Sequence, residues 1–274
     1  MFKLTVLTTL AFLSLGATFA IAQEPIETKE EVKVEEQIDP RERVRRATFD
    51  MFMTGEEISG TAFLVSRKKV YGKDRYLYRA ITAFHVVSHI ARDPQADSAI
   101  IATFQPEFHG AMLQIYSYIQ EVDWAIPIHD WASFTFESNN KLECAELATK
   151  EEFESVTPFD TIYMIGAMGR YGQLVRKGTM GATHSRSIFK EVDDELIINN
   201  VKIDAGKFFR SGFTGWYGDS GAPVFTEDGK IIGVFSFFLL VGREQVVYNS
   251  SAFMKAHIIR DVVSTDKQFF LVEN

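Results

Sequence analysis

The chain has a single cysteine, Cys144, in 274 residues, so no intramolecular disulfide can form, and neither a thiolate zinc site nor a CxxC redox pair is open to it. Stability must come from packing. Positive charge is also short: 29 Lys and Arg stand against 37 Asp and Glu, a net charge of −8. Nucleic acid or an anionic lipid surface therefore finds no general electrostatic attraction here. No repeat of about 20 to 50 residues recurs, which sets aside propellers and solenoids. What is present is 46% hydrophobic and 24% charged residues, the ordinary composition of a globular protein with room for a large core, and not that of a wholly disordered chain or a polytopic membrane protein.

Residues 1–22 have a positive start at Lys3, an apolar stretch from Leu4 to Leu15, and small residues ending in Ala20-Ile21-Ala22, the form of a signal-peptidase site. The 19 residues from Leu4 to Ala22 approach the ~20 needed to span a bilayer. Thr5, Thr8, Thr9, Ser14, Gly16 and Thr18 leave them weakly hydrophobic for an anchor, so a cleaved signal is read in preference to an uncleaved membrane anchor. A cysteine-poor exported chain fits the periplasm or exterior of a bacterial cell better than a disulfide-stapled secretion product. Residues 23–46 read as a charged, flexible linker. From Gln23 to Gln37 six Glu face two Lys with no aromatic residue. The basic run Arg41-Glu42-Arg43-Val44-Arg45-Arg46 reads as the linker's polar end rather than as a processing site or a lipid contact.

From residue 47 onward short apolar runs alternate with turn residues. Phe49 to Met53, Gly60 to Ser66, Tyr76 to Thr82, Ile100 to Phe104, Ile115 to Glu121, Thr161 to Ala167, Gln173 to Ala182, Glu195 to Ile203, Gly221 to Thr226, Ile231 to Leu240 and Gln245 to Tyr248 are each of about strand length. So many strands without regular intervening helices predict an all-β sandwich or pair of barrels rather than a βαβ sheet. One helix is expected near the end, capped by Ser250 or Ser251, with Ala252, Phe253, Ala256, Ile258, Ile259 and Val262 on its apolar face.

Three segments carry chemistry. In Trp216-Tyr217-Gly218-Asp219-Ser220-Gly221-Ala222-Pro223, two glycines allow a sharp turn that exposes the Ser220 hydroxyl and aims the N–H groups of Gly218 and Ser220 at one point. The four letters G-D-S-G also suit a plain surface turn. In Ile81-Thr82-Ala83-Phe84-His85-Val86-Val87 a strand ends in a turn that delivers His85, a side chain able to act as a base near neutral pH. His89 lacks that setting and reads as surface or packing. In Glu121-Val122-Asp123-Trp124-Ala125-Ile126 a carboxylate set among apolar neighbours needs a partner, because burying an unpaired charge is costly. An imidazole N–H at His85 or one of the arginines would serve. Asp50, Asp130 and Asp160 sit in more loop-like surroundings and rank below Asp123.

The chain order His85, Asp123, Ser220 is that of chymotrypsin-type enzymes and differs from those of subtilisins and α/β-hydrolases. Together with Ser59-Gly60-Thr61-Ala62-Phe63-Leu64-Val65, Thr82-Ala83-Phe84-His85-Val86-Val87, Asp123-Trp124-Ala125-Ile126 and Gly233-Val234-Phe235-Ser236, it makes the sequence from Gly60 to about Val263 resemble the trypsin-like peptidase superfamily. Thr161-Ile162-Tyr163-Met164-Ile165-Gly166, Gly172-Gln173 and Gly178-Thr179-Met180-Gly181 look most like its bacterial HtrA-type branch. The resemblance implies two antiparallel six-stranded β-barrels, about 47–140 and about 150–250, followed by a short helix at about 251–264, all within a protease domain at 47–274. It implies an exported serine endopeptidase acting on polypeptides through an acyl-enzyme. Ser220 is then the nucleophile, His85 the base, Asp123 its orienting acid, Gly218 and Ser220 the oxyanion hole, and Ser236 a support for Asp123 that also lines the substrate strand. No metal or organic cofactor is implied.

The family register puts the floor of the specificity pocket at Thr214 and its wall near Phe237 and Phe238, suggesting small or aliphatic substrate side chains rather than Lys or Arg. Three departures stand out. HtrA proteins usually carry a PDZ domain after the protease, and none is expected here after the last helix. Asp219 replaces the Asn usual before the serine of HtrA proteins and is expected to satisfy local backbone N–H groups. In trypsin-like zymogens such an Asp pairs with a freshly cleaved amino terminus, and Ala47-Thr48-Phe49 after Arg46 imitates that terminus poorly. HtrA relatives are commonly trimers, so a homo-oligomer is admitted, with Phe49, Met51 and Phe52 as candidates for the contact. The rival reading is a catalytically silent module that grips extended peptides in the same cleft, and a third is an esterase on the same site.

Overall fold

The computed structural model describes residues 38–53, 60–92, 100–104, 113–117, 121–126, 129–167, 173–181, 196–198, 201–203, 207–241 and 246–265. The expected signal segment at 1–22 and most of the expected charged linker lie outside them. The end of the expected linker is not a linker. Pro40–Ala47 forms helix α1, started by Pro40 at its first turn and by Asp39, whose side chain accepts the Arg41 N–H. Val44 and Ala47, three apart on one face, are buried, while Glu42 pairs with Arg45 and Arg46 on the outside. The basic run is thus the polar face of a packed helix.

Fourteen strands make two seven-stranded sheets. The first joins β1 (Thr48–Met53), β2 (Gly60–Lys69), β3 (Tyr76–Thr82), β4 (Ile100–Phe104), β5 (Leu113–Ser117), β6 (Glu121–Ile126) and β7 (Trp131–Ser138) in the order β5-β4-β1-β2-β3-β7-β6. Helix α2 (Phe84–Arg92) leaves directly from the end of β3. The second sheet joins β9 (Thr161–Ala167), β10 (Gln173–Thr179), β13 (Phe208–Ser211), β14 (Pro223–Phe225), β15 (Lys230–Val241) and β16 (Val246–Lys255) in the order β10-β9-β14-β15-β16-β13, with the short β8 (Glu146–Leu147) running parallel to β15. Met180 bridges Ser211, and the Gly181 N–H donates to Arg210 O at 3.0 Å, so the two ends of this sheet come back to each other. A hairpin of β11 (Leu196–Ile198) and β12 (Val201–Ile203) pairs on its own. Helices α3 (Lys150–Ser155), with a Thr149–Glu152 capping box, and α4 (Ala256–Thr265) complete the described elements.

The class is all-β with chymotrypsin-like sheets and a short C-terminal helix, as expected, but with seven strands to a sheet rather than six. The last helix starts at Ala256, later than the sequence suggests. Ser250, Ser251, Ala252 and Phe253 belong to β16, where Phe253 pairs with Phe235 and Phe209 on either side. Pairing with a strand along each edge holds this segment as strand.

Aromatic residues dominate both cores. Phe49 meets Phe134 and Phe136 edge-on at 6.4 and 6.2 Å, and Phe253 touches Phe209, Phe213 and Phe235. Each fully buried Phe contributes about 1.5–3 kcal/mol of transfer free energy. Phe49 and Met51 are wholly buried in the first core, so they are not available for the contact between subunits that the sequence suggested; the Phe52 side chain is outside the described residues.

Asp50 lies on β1 opposite Thr61 of β2, buried, with one carboxyl oxygen lacking a hydrogen-bond partner. Burial pushes its pKa from the ordinary 3.8 up to about 7, with Gln173 of β10 opposing. The folded state therefore holds a proton that the unfolded chain gives up, and stability falls as pH rises from about 4 to 7. Asp50→Asn should be more stable than the parent above pH 7, and melting curves should show the gap closing as pH falls toward 4, where both side chains are neutral.

Candidate active site

The end of β3 sets the first residue. Thr82 is the last residue of the strand, and its hydroxyl donates to Thr61 O at 2.8 Å. Ala83 is buried in the turn, and α2 starts at Phe84, so His85 stands in the helix's first turn. Its side chain is 24% exposed, so part of the ring is reached by solvent.

The carboxylate beside His85 is that of Asp130, where the sequence suggested Asp123. Asp130 is buried in the turn before β7 and has a φ of 50°, left-handed backbone that Asp tolerates better than most residues. His85 Nδ1 lies 3.0 and 2.9 Å from its two carboxyl oxygens, and the His85 backbone N–H donates to Oδ1 at 3.0 Å. The Ser236 hydroxyl donates to Oδ2. The reason lies in the sheet order. β7 pairs directly with β3, Ala132 opposite Thr82, so the start of β7 lies beside the turn that presents His85. Asp123 sits one strand further out on β6, across a register irregularity between Glu121 and Trp124. Its side chain is outside the described residues. The triplet Asp-Trp-Ala occurs twice, at 123–125 and 130–132; the second opens the alternating, buried Ala132, Phe134, Phe136 run of β7, and that was the available signal.

The serine comes from the second sheet. His85 Nε2 lies 2.8 Å from Ser220 Oγ. Behind the serine, the Gly221 N–H donates to Phe235 O and the Phe235 N–H to Ala222 O, both at 2.8 Å. Gly221 has a φ of 87°, and a Cβ there would fall 2.1 Å from Thr61 O and 2.3 Å from Thr82 Oγ1. Only glycine fits. Gly218, two residues before Ser220, has a φ of 96°. Neither its N–H nor that of Ser220 is taken by a protein acceptor among the described residues.

Of the specificity residues, Thr214 is exposed and its carbonyl accepts from Arg176. Phe237 and Phe238 lie on β15 opposite Ala252 and Ser251, their side chains outside the described residues. Ser236 is buried, and its hydroxyl donates to Asp130 rather than to Asp123. Asp219 does take the Trp216 N–H at 2.7 Å, but its larger partner, Arg176, was not foreseen. Cys144 is half-buried, and burial pushes its thiol up to about 12, which leaves it protonated and unreactive at neutral pH. No group of His, Cys, Asp and Glu among the described residues is placed to hold a metal.

Burial pulls the His85 pKa down; the Asp130 carboxylate, by charge and by hydrogen bond, outweighs it and holds the imidazole above its ordinary 6.5. In an NMR titration the His85 ring should change charge above that value, and in Asp130→Asn well below it, since burial remains when the charge is gone.

A neutral imidazole between a carboxylate and a hydroxyl can take the hydroxyl proton as that oxygen attacks a carbonyl. Comparison with known proteins agrees in kind. The solved structures of Deg5 (13% identity, 81% of this chain and 89% of that one, TM-score 0.56), the HtrA-type protease AlgWS227A with tripeptide (15%, 84% and 64%, TM-score 0.58) and the MamO protease domain from Magnetospirillum magneticum (16%, 80% and 97%, TM-score 0.55) share the fold. The chain spans just under two thirds of the AlgW chain. Among curated proteins none matches the sequence. Residues 60–234 match the trypsin-like peptidase domain, and this stretch holds His85, Asp130 and Ser220 alike: the chain belongs to the trypsin-like peptidases, a family of serine endopeptidases.

Proposed function

We propose that the protein is an exported endopeptidase that cleaves polypeptides through an acyl-enzyme formed on Ser220. The observation that carries this reading is the unbroken relay from Asp130 to His85 Nδ1 and from His85 Nε2 to Ser220 Oγ, the last at 2.8 Å. As Ser220 Oγ bonds to the scissile carbonyl carbon, its proton passes to His85 Nε2 and the carbonyl oxygen becomes an oxyanion. The N–H groups of Gly218 and Ser220 receive that charge, each such donor being worth about 10²–10³ in kcat. Collapse breaks the C–N bond, and His85 returns the proton to the departing amine. A water then attacks the acyl-enzyme with His85 again as base, releasing the acid and restoring Ser220. Throughout, Asp130 fixes the tautomer with Nδ1–H toward itself, which leaves Nε2 free to accept.

Export rests on the segment Lys3 to Ala22. A peptide as substrate is supported by the AlgW structures, solved with a tripeptide and with a decapeptide.

Purified protein and Ser220→Ala should be compared on a fluorophosphonate, from which the serine displaces fluoride, and on unfolded casein. Labelling and cleavage are expected in the parent only; a parent that fails to label from pH 6 to 9 overturns the proposal. Asp130→Asn should lose about 10⁴-fold in kcat, whereas Asp123→Asn should keep the parent's rate. Activity should rise with pH through the raised His85 pKa, and a rate that stayed flat from pH 5 to 8 would exclude His85 as the base.

A further inference from the structure

The loop from Thr214 to Ser220 carries Gly218 and delivers the nucleophile, and what fixes its shape comes from outside it. Asp219 is fully buried. Arg176, on β10, meets it with both terminal nitrogens: Nη1 donates to Oδ2 at 2.7 Å and Nη2 donates to Oδ1. The same Nη1 donates to Thr214 O at 3.0 Å, and Asp219 Oδ2 also accepts the Trp216 N–H. One guanidinium therefore joins both ends of the loop. Space is cleared for the pair on β9, where a Cβ on Gly166 would lie 2.3 Å from Asp219 Oδ1 and 3.0 Å from Arg176 Nη2.

The first sheet adds a second hold. The Thr61 hydroxyl donates to Gly218 O at 2.8 Å while accepting the Ala167 N–H at 2.9 Å, and the Thr61 N–H donates to Ser220 O at 2.8 Å. Backbone on both sides of Asp219 is thus pinned to β2.

A buried acid beside the serine needs a cation, and a zymogen supplies one by cleavage. Here that source is closed. Ala47 to Met51 are buried, and Thr48–Met53 is paired between β2 and β4 as β1. Arg176 is already in place and stays charged at any physiological pH.

We propose that Arg176 and Thr61 are positioning residues that hold the Thr214–Ser220 loop in its oxyanion-binding shape, so that the protein is competent without cleavage of its amino-terminal segment at Arg46. This rests on Ser220 being the nucleophile.

The full chain is compared with Thr61→Val, Arg176→Lys and Arg176→Met/Asp219→Asn, the double change avoiding a buried unpaired carboxylate. Melting temperature, fluorophosphonate labelling rate, kcat and KM are measured, and mass spectrometry reads whether the 46–47 bond of the active parent is intact. The expected result is an intact, reactive parent. Thr61→Val and the double variant should be folded but lose about 10²–10³ in kcat, the worth of an oxyanion donor, with a smaller change in KM. Arg176→Lys should recover part of the rate. Activity that appears only after cleavage at Arg46, or a folded Thr61→Val or double variant with the parent's kcat, overturns the proposal. If the arginine variants do not fold, Thr61→Val decides. A parent that does not label at all, cleaved or intact, instead overturns the reading of Ser220.

Discussion

Gly221 has no side chain, and the carbonyl of Thr61 occupies the place where one would be. That close approach is where the nucleophile loop of the second sheet seats on β2 of the first, with the Thr61 N–H bound to Ser220 O. The rest of the site depends on it. Ser220 and His85 come from different sheets, and a 2.8 Å contact between them survives only if the sheets keep their spacing to within about 0.5 Å. Any side chain at 221 would separate β2 from the loop and the imidazole from the hydroxyl together.

Two buried carboxylates flank this seam, and each is satisfied in a different way. Asp130 collects three donors from two elements: the backbone N–H and Nδ1 of His85 at the start of α2, and the Ser236 hydroxyl on β15. Its partner is cationic only while His85 is protonated. Asp219 faces Arg176, whose charge is permanent, and so its environment does not change through a catalytic cycle. Burial pushes the Asp219 carboxyl up from its usual range and Arg176 works against that shift.

Sequence patterns reach as far as local structure does. His85 was legible because strand, turn and histidine are consecutive, and Ser220 because its glycines mark a turn that few other residues could make. The acid was not, because Asp123 and Asp130 both head an Asp-Trp-Ala triplet, and the choice between them is made by which strand neighbours β3. Pairing order is a long-range property that no window of sequence contains. The same holds for Arg176, on a largely exposed strand whose pattern gives no hint of a partner 43 residues away. Helix α1 was missed for the opposite reason: charged residues fill it, and only Val44 and Ala47 reveal its buried face. Strand β16 was cut short because Ala252, Phe253 and Ala256 also fit a helical face, and contacts with β13 and β15 override that propensity.

The seam at Thr61 is not the only tie between the sheets. Gln173 of β10 donates to Thr48 O at 2.7 Å, so the strand that carries Arg176 is also fastened to β1, directly after α1. Asp50 lies between these two ties, opposite Thr61 on β1 and near Gln173, and cross-strand partners present their side chains on the same face of a sheet. An ionised Asp50 would bring uncompensated charge to the layer where the sheets meet, and its raised pKa shows that burial there strongly disfavours this.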